Sequence, residues 1–392
     1  MTDLVNISDL TIRFHTYEGI VQALNGVNLS IGEEETLGLV GETGSGKTIT
    51  GLALLRLIMP PGKIEGGSIL FGSDDGTVDL LKISETEMRK IRGSQIAMIF
   101  QEPGAALNPV FSIGDQLTEA ILLHRREEVA RLAADNLRRL LSGKSSFMMN
   151  VLKPLNITRV KIYRNISENR RQALSHIIEK TPFVRRMVRG LRGEADKIAL
   201  SLLREVEIPD AVRIMKQYPY ELSGGMKQRI VIAMALSCCS KLIIADEPTT
   251  SLDVTIQVQI IELLKKLKAE LHSSLLYITH NLGVAAEICD RVAVMYAGNI
   301  CEVASVYDIF KNPLHPYTKA LMAAVPKPGV EPRAIGGSVA DAFSLPSGCP
   351  FHPRCQQVMN ICSLDCPTLT EVAPGHFVAC HLFRGENSGI SN

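Results

Sequence analysis

The segment GETGSGKT, Gly41 to Thr48, restricts the possible folds of this chain more than any other stretch. It fits the phosphate-loop template G-x-x-x-x-G-K-[ST], with an apolar run before it and an apolar helical pattern after it. A strand, a glycine-rich loop and a helix in this order place backbone N–H groups at a helix N-terminus, where they can surround a phosphate. The sequence therefore predicts an α/β fold with a nucleotide site.

Each residue type in this loop has a chemical reason to be there. Glycines leave room for the backbone to approach phosphate, the Lys47 ammonium suits the β- and γ-phosphates, and the Thr48 hydroxyl suits Mg²⁺. The predicted nucleotide-binding residues of the loop are Gly41, Glu42, Thr43, Gly44, Ser45, Gly46, Lys47 and Thr48.

The remaining pattern alternates between strands and helices. Residues 4–31 alternate in the manner of strands, and 113–218 read as mostly helical. Strand–helix alternation then returns, which favours a parallel sheet covered by helices. The predicted elements are a helix at 48–59, a helix at 225–238, a strand at 241–247, a helix at 254–271, a strand at 274–280, a helix at 281–289 and a strand at 291–298.

Two acids follow the buried strand KLIIA, at the edge where α/β sheets bind ligands. Asp246 is predicted to orient a magnesium ion, and Glu247 to polarise an attacking water, because phosphoryl transfer mainly requires positioning and charge stabilisation. His280 ends the next strand and is expected to contact a γ-phosphate. Gln101 ends an earlier strand, where its amide could reach Mg²⁺ or water.

The segment LSGGMKQR at 222–229 also suits phosphate, because a serine and two glycines lead into a helix. Together with GETGSGKT, IFQEP, LIIADEP, SLD and ITHNLG, it makes the chain resemble the ATPase subunit of an ABC transporter. MIFQEPGAALNPV and NPLHPYTKAL resemble the oligopeptide/dipeptide importer branch. The resemblance implies a P-loop (RecA-like) core, an N-terminal antiparallel β subdomain and a helical subdomain at about 102–222. It divides the chain into a nucleotide-binding domain at 1–325 and a small cysteine-rich C-terminal extension at 326–392.

The resemblance also implies a two-sided ATP site between head-to-tail subunits. The signature motif of one chain then contacts the ATP bound by its partner, and Asp253 lies along the interface. Tyr17 is the first choice for stacking on adenine and Phe14 the second. The predicted signature residues are Ser223, Gly224, Gly225 and Gln228.

The implied activity is ATP hydrolysis that powers uptake of oligopeptides or dipeptides. The expected partners are a second, non-identical ABC ATPase, two membrane permease subunits and an extracytoplasmic binding protein, at the cytoplasmic face of the membrane. Nickel, glutathione and oligosaccharide remain alternative cargoes. An ABC ATPase that acts on nucleic acid or ribosomes is the alternative from another class, although no nucleic acid is expected.

A basic block at 125–197 carries 18 Lys and Arg against 7 Asp and Glu. It could be a solvated helical insertion, a contact with anionic lipid or a nucleic-acid site. No window reaches the roughly 18 uncharged apolar residues that a membrane-spanning helix needs, and no signal peptide is expected.

Five of the nine cysteines lie in the last 44 residues, where the absence of an export signal favours metal ligation over disulfides. The family spacing implies a 4Fe–4S cluster, with Cys366 spare although it could compete with Cys362. Zinc, helped by His352 or His381, and reduced thiols without a metal are the alternatives. The implied cluster ligands are Cys349, Cys355, Cys362 and Cys380.

Overall fold

The computed structural model describes residues 3–74, 76–142, 160, 163–164, 182–250, 252–325 and 335–383. The chain forms two compact units. Unit 1 comprises Met1–Gln101, Ser240–Thr250 and Gln257–Asn392, and unit 2 comprises Glu102–Cys239 and Ser251–Ile256. Much of the basic block lies outside the described residues, so its three interpretations stay predictions.

The first sheet of unit 1 is antiparallel and has the order β2-β1-β4-β5. Its long strands alternate buried and more exposed residues, as expected when one face of a sheet covers a core. The predicted N-terminal antiparallel β subdomain is therefore confirmed. The strands are β1 Asp3–Thr16, β2 Gly19–Gly32, β4 Gly62–Ser73 and β5 Gly76–Asp79.

The second sheet of unit 1 is mixed and has the order β11-β12-β10-β9-β3-β8-β7-β6. The strands from β9 to β6 are parallel, as predicted, and β3, β7 and β8 are buried along their whole length. The strands are β3 Thr36–Val40, β6 Ile96–Ile99, β7 Leu242–Asp246, β8 Ser274–Thr279, β9 Arg291–Tyr296, β10 Asn299–Ser305, β11 Thr370–Ala373 and β12 His376–Val378.

The other edge of this sheet is antiparallel. Ala297 and Gly298 both have positive φ, 45° and 76°, and such a two-residue turn reverses the chain between β9 and β10. Beyond β10 the tail contributes two strands, since Val378 of β12 lies opposite Glu302 of β10. The sheet thus continues across the predicted boundary at 325/326, and the domain division stays a prediction.

The described helices cover the sheet in unit 1 and make up most of unit 2. Those of unit 1 are Lys47–Leu54, Glu85–Ile91, Leu282–Ile288, Val306–Lys311, Pro316–Ala324 and most of Val254–Leu271. Those of unit 2 are Pro103–Ala106, Ile113–His124, Arg126–Ser142, Pro182–Glu205, Ala211–Ile214 and Gly224–Leu236. Short 3₁₀ helices are Pro219–Glu221, His352–Arg354, Asn360–Ser363 and His381–Phe383.

The helix after the phosphate loop ends at Leu54, so its predicted extension to residue 59 is wrong. Arg56 adopts a left-handed conformation with φ 50°. The Leu57 N–H donates to the Leu52 carbonyl at 2.9 Å, and the Arg56 N–H donates to the Ala53 carbonyl at 2.9 Å. These two bonds close the helix in the manner of a Schellman motif, with arginine where glycine is usual.

Side-chain hydrogen bonds tie the helices of unit 2 together. Thr118 Oγ1 donates to Asp196 Oδ1 at 2.7 Å, and Asn136 Nδ2 donates to Glu194 Oε2 at 3.0 Å. These bonds join the helices Ile113–His124 and Arg126–Ser142 to Pro182–Glu205, although unit 2 is broken in sequence by the residues that are not described.

The packing between β1 and β4 gives a stability prediction. Gly67 has φ +98°, and a Cβ there would lie 2.6 Å from the Ser8 carbonyl oxygen and 2.7 Å from that of Asp9. We expect Gly67→Ala to lower the free energy of unfolding by about 3 kcal/mol. Gly66 is the matched control, because its added Cβ meets nothing within 4 Å. Urea unfolding that finds equal stability for the two variants would contradict this prediction.

The buried His315 makes the free energy of unfolding depend on pH. His315 is 2% exposed, and its Nδ1 accepts the Tyr317 N–H at 3.0 Å. Burial lowers its pKa from 6.5 to about 3, against a raising effect of its hydrogen bond to the Ala379 backbone. In the unfolded chain the imidazole is protonated below about pH 6.5, whereas in the folded chain it stays neutral. Its contribution to stability is therefore full above pH 6.5 and is lost as the pH falls toward 3.

Because of His315, we expect the free energy of unfolding to be about 2 kcal/mol lower at pH 5 than at pH 7. Urea titrations at both pH values measure this loss. His315→Gln should remove that part of the pH dependence, whereas the same change at the partly exposed His15 should leave it intact. A His315→Gln variant with the parent pH dependence would count against the buried neutral imidazole.

Candidate functional site

The phosphate loop follows β3 and leads into the helix Lys47–Leu54, in the order predicted. A Cβ at Gly41 would lie 2.1 Å from the Met295 carbonyl oxygen, so no other residue fits there without a backbone shift. Gly46 has φ +105° at the N-cap of the helix, a conformation that favours glycine. Two of the loop glycines are thus required by backbone geometry, and the helix N-terminus faces the loop.

The Lys47 side chain lies folded against this loop. Its Nζ donates to the carbonyl oxygens of Gly41 and Glu42, at 2.9 Å each, and the residue is 5% exposed. Burial lowers the pKa of Lys47, while the negative charges of Glu247, Asp246 and Glu42 act in the opposite direction. The ammonium is held by neutral carbonyls, which phosphate oxygens can replace.

Thr48 and Asp246 converge from the loop and from the end of β7. Thr48 Oγ1 donates to Asp246 Oδ1 at 3.1 Å. Burial raises the pKa of Asp246 to about 6; the Thr48 hydrogen bond lowers it, and the Glu247 charge raises it further. A hydroxyl and a carboxylate are oxygen donors that suit Mg²⁺, and a cation would relieve the cost of ionising this buried acid. The residues present therefore fit the predicted magnesium ion.

Glu247 lies at the centre of a hydrogen-bonded group. Its carboxylate is 3.0 Å from His280 Nδ1, accepts from Thr250 Oγ1 at 2.8 Å and accepts from Gln101 Nε2 at 3.3 Å. Burial acts to raise the pKa of Glu247, but the hydrogen bonds of His280 and Thr250, with the charges of His280 and Lys47, hold it below its ordinary value. The side chain is thus kept ionised and oriented at neutral pH.

The order of the strands in the sheet brings these side chains together. Gln101, Asp246 and His280 follow or end the neighbouring parallel strands β6, β7 and β8, whose carboxyl ends meet at one edge. Glu247 has φ 44°, and its N–H donates to the Ile278 carbonyl at 2.9 Å, which turns the chain out of β7. Sequence reasoning missed Thr250, although its position in DEPTT, three residues after Glu247, suits a turn contact.

The signature segment lies in unit 2. Ser223 caps the helix Gly224–Leu236, since its Oγ accepts the Met226 N–H at 3.4 Å, and Ser223 and Gly224 are exposed. Gln228 is 1% exposed, which gives no support to direct contact with a partner's nucleotide. Asp253 is exposed, and its Oδ1 accepts the Ile256 N–H at 2.9 Å. The roles of these residues stay predictions.

The two candidates for adenine stacking differ in exposure. Tyr17 lies in the turn between β1 and β2 and is fully exposed. Phe14 packs against the hydrophobic core of unit 1. Tyr17 is therefore the more accessible of the two rings.

The predicted cluster ligands share one region of the tail. The Cys349 N–H donates to the Cys362 carbonyl at 2.8 Å. Burial raises the pKa of the Cys349 thiol to about 12, and the neighbouring Cys362 and Cys380 add to this; burial likewise raises the pKa of Cys355 and Cys380. Within the described ranges, however, no group of three or more His, Cys, Asp or Glu side chains is arranged to hold a metal ion. The thiols as placed are therefore not arranged around an iron–sulfur cluster or zinc, and the predicted metal site stays a prediction.

Among the helices that the structure describes, none is both long and apolar enough to cross a bilayer.

Comparison with known proteins gives two family matches. Residues 24–250 match the family model described as ABC transporter. Residues 301–362 match the model described as oligopeptide/dipeptide transporter, C-terminal region.

Curated relatives cover almost the whole chain. The dipeptide transport ATP-binding protein DppD of Bacillus subtilis is 40% identical over 397 residues, covering 100% of this chain and 98% of the relative. The oligopeptide transport ATP-binding protein OppD of Escherichia coli is 39% identical over 380 residues, covering 96% and 92%.

Solved structures show the same fold. The ATP-binding cassette MJ0796, in a dimeric post-hydrolysis state with ADP and Pi, matches with a TM-score of 0.52 at 24% identity, covering 77% of this chain and 98% of that chain. The structure of cbiO1 from Clostridium perfringens matches with a TM-score of 0.51 at 21% identity, covering 80% and 92%. The predicted P-loop ABC ATPase fold is confirmed. The chain belongs to the ATP-binding proteins of ABC transporters, in the group that carries the oligopeptide/dipeptide transporter C-terminal region.

Proposed function

We propose that this ABC ATPase hydrolyses ATP to power the uptake of oligopeptides or dipeptides through a separate membrane permease. The observation that carries the proposal is the group around Glu247, in which His280, Thr250 and Gln101 hold an ionised carboxylate beside the phosphate loop. The relatives named for dipeptide and oligopeptide transport support the class of cargo.

The residues of the site divide the reaction between them. Lys47 exchanges the carbonyls of Gly41 and Glu42 for phosphate oxygens and offsets their charge. Glu247 orients the attacking water and accepts its proton, while His280 contacts the γ-phosphate and holds Glu247 in place. Thr48, Asp246 and Gln101 are the proposed ligands of Mg²⁺, which when bound supplies positive charge to the β- and γ-phosphates.

The second side of the ATP site comes from a partner. We place Ser223, Gly224 and Gly225 of each ATPase on the ATP of the other, because the exposed N-terminus of the helix Gly224–Leu236 suits a phosphate. Asp253 lies along this interface, and Tyr17 stacks on adenine. The partner is a second, non-identical ABC ATPase. Two permease subunits hold the pair at the cytoplasmic face, and an extracytoplasmic binding protein delivers the peptide.

Reconstitution tests the function. This chain is assembled in vesicles with the partner ATPase, permease and binding protein that its genome encodes beside it. We expect a dipeptide or short oligopeptide, with its binding protein, to stimulate phosphate release and peptide entry. Stimulation by nickel, glutathione or an oligosaccharide instead would contradict the peptide assignment. Binding of nucleic acid at physiological salt, without any stimulation by transport substrates, would contradict the transporter assignment.

A trapping experiment tests the two-sided site. Glu247→Gln protein with Mg-ATP and the partner ATPase should form a stable pair, and a photoactivatable group attached to Ser223→Cys should then crosslink to the partner's phosphate loop. Subunits that stay apart, or a crosslink from position 223 to the loop of its own chain, would overturn the arrangement.

For the tail we propose that Cys349, Cys355, Cys362 and Cys380 bind a 4Fe–4S cluster, with zinc as the alternative. The four thiols lie in one region of the tail, but they must move from their present positions to do so. Anaerobic purification with iron, sulfide and zinc analysis tests this proposal. Cys362→Ser should lose the metal and the matched change at Cys366 should keep it; metal-free wild-type protein would contradict the proposal.

A further inference from the structure

The tail makes a direct contact with the phosphate loop through Arg354, the last residue of the 3₁₀ helix His352–Arg354. Its Nη1 donates to Glu42 Oε2 at 2.8 Å, and its Nη2 donates to Glu42 Oε1 at 3.1 Å. Such a paired geometry fixes both planar groups, and it is available only to arginine among the basic side chains.

The arginine is locked in place on its other sides. Its side chain is 5% exposed, Nε donates to the Gly336 carbonyl at 2.9 Å, and Nη1 also donates to the Tyr296 hydroxyl at 3.2 Å. The guanidinium carbon lies 5.6 Å from the ring centre of Tyr296 and 5.9 Å from that of Phe351. A buried cation with this many partners has little freedom to leave Glu42.

Glu42 makes three hydrogen-bonded contacts, and one of them is with Lys47. Its N–H donates to the hydroxyl of the fully buried Tyr317 at 3.0 Å, its carbonyl accepts Lys47 Nζ at 2.9 Å, and its carboxylate pairs with Arg354. The position of Glu42, together with that of Gly41, therefore influences where the Lys47 ammonium lies. An unpaired Glu42 carboxylate would also attract that ammonium and repel a triphosphate.

We propose that Arg354 is a positioning residue of the nucleotide site, which holds Glu42 in place and cancels its charge so that the phosphate loop can receive ATP. This inference rests on the proposed function, because the ligand is ATP. It assigns the tail a role at the site that is separate from any metal bound by its cysteines.

Calorimetry of Mg-ATP binding to the full-length chain tests the inference. The thermal midpoint of each variant is measured beside it. We expect Arg354→Gln to weaken ATP binding about tenfold, because a bare carboxylate then faces the phosphates. The double variant Glu42→Gln/Arg354→Gln removes that charge and should recover ATP affinity to within about threefold of the parent. Failure of the parent chain to bind ATP would contradict the proposed function itself, not the role of Arg354.

Arg291→Gln is the matched control. Arg291 pairs with Glu35 at 3.1 Å beside the same sheet, at the end of β3 away from the phosphate loop. The Arg291→Gln variant should have a lower thermal midpoint and the ATP affinity of the parent. If Arg354→Gln fails to fold, Arg354→Lys keeps the charge but loses the paired bonds, and it should weaken binding by a smaller factor. Parent affinity in the Arg354 variants, or an equal loss in Arg291→Gln, would overturn the proposal.

Discussion

Replacement of Glu247 by glutamine is expected to lower ATP turnover about a thousandfold and to leave the affinity for Mg-ATP within about threefold. Glutamine preserves the size of the side chain and can keep the contacts with Thr250 and Gln101. It cannot accept a proton from water, so only the chemical step is lost.

The measurement is phosphate release by the assembled transporter, with the partner's own site inactivated so that a single site is observed. Glu287→Gln is the matched control, because Glu287 is a surface carboxylate that pairs with Lys265 at 2.9 Å. It should hydrolyse ATP at the parent rate. Parent turnover by Glu247→Gln would remove Glu247 from the reaction.

Replacement of Lys47 by alanine is expected to weaken Mg-ATP binding at least about a hundredfold, because a buried cation is removed from the phosphates. In the absence of nucleotide the protein should be as stable as the parent or more stable. The reason is that Lys47 is 5% exposed and its pKa is lowered by burial, so its charge costs folding free energy.

The thermal midpoint with and without Mg-ATP measures both effects in one experiment. Without nucleotide, Lys47→Ala should have the parent midpoint or a higher one, and it should lose the upward shift that ATP causes. The control is Lys241→Ala, which removes a partly exposed lysine paired with Asp74 at 2.7 Å and should retain the ATP shift. A full ATP shift in Lys47→Ala would contradict the assigned role.

The nucleotide site was predictable because each part of it is local in sequence. The phosphate loop and His280 each follow a short buried strand and Asp246 ends one, and parallel strands bring their carboxyl ends to one edge. Backbone geometry at Gly41 and Gly46 then makes the loop recognisable from residue types alone. Knowledge of the strands was sufficient to expect these groups together.

Other features depend on contacts that no local pattern encodes. The early end of the helix at Leu54 requires a left-handed Arg56, whose Nη1 donates to the Ile83 carbonyl at 2.7 Å. The burial of Gln228 was likewise invisible in a motif whose Ser223 and Gly224 are exposed. Helix ends and burial are decided by packing, and packing depends on residues distant in the chain.

The sequence by itself determined the fold class, the phosphate loop and the acids at the sheet edge, because these follow from hydrophobic periodicity and residue chemistry. Only the tertiary structure decided that the tail adds β12 to β10 and that Arg354 reaches Glu42, 312 residues away. The physical reason is that strands pair through backbone groups, which do not depend on the type of side chain. The partners of an ion pair can be separated by any number of residues, so no spacing in the sequence predicts the pair.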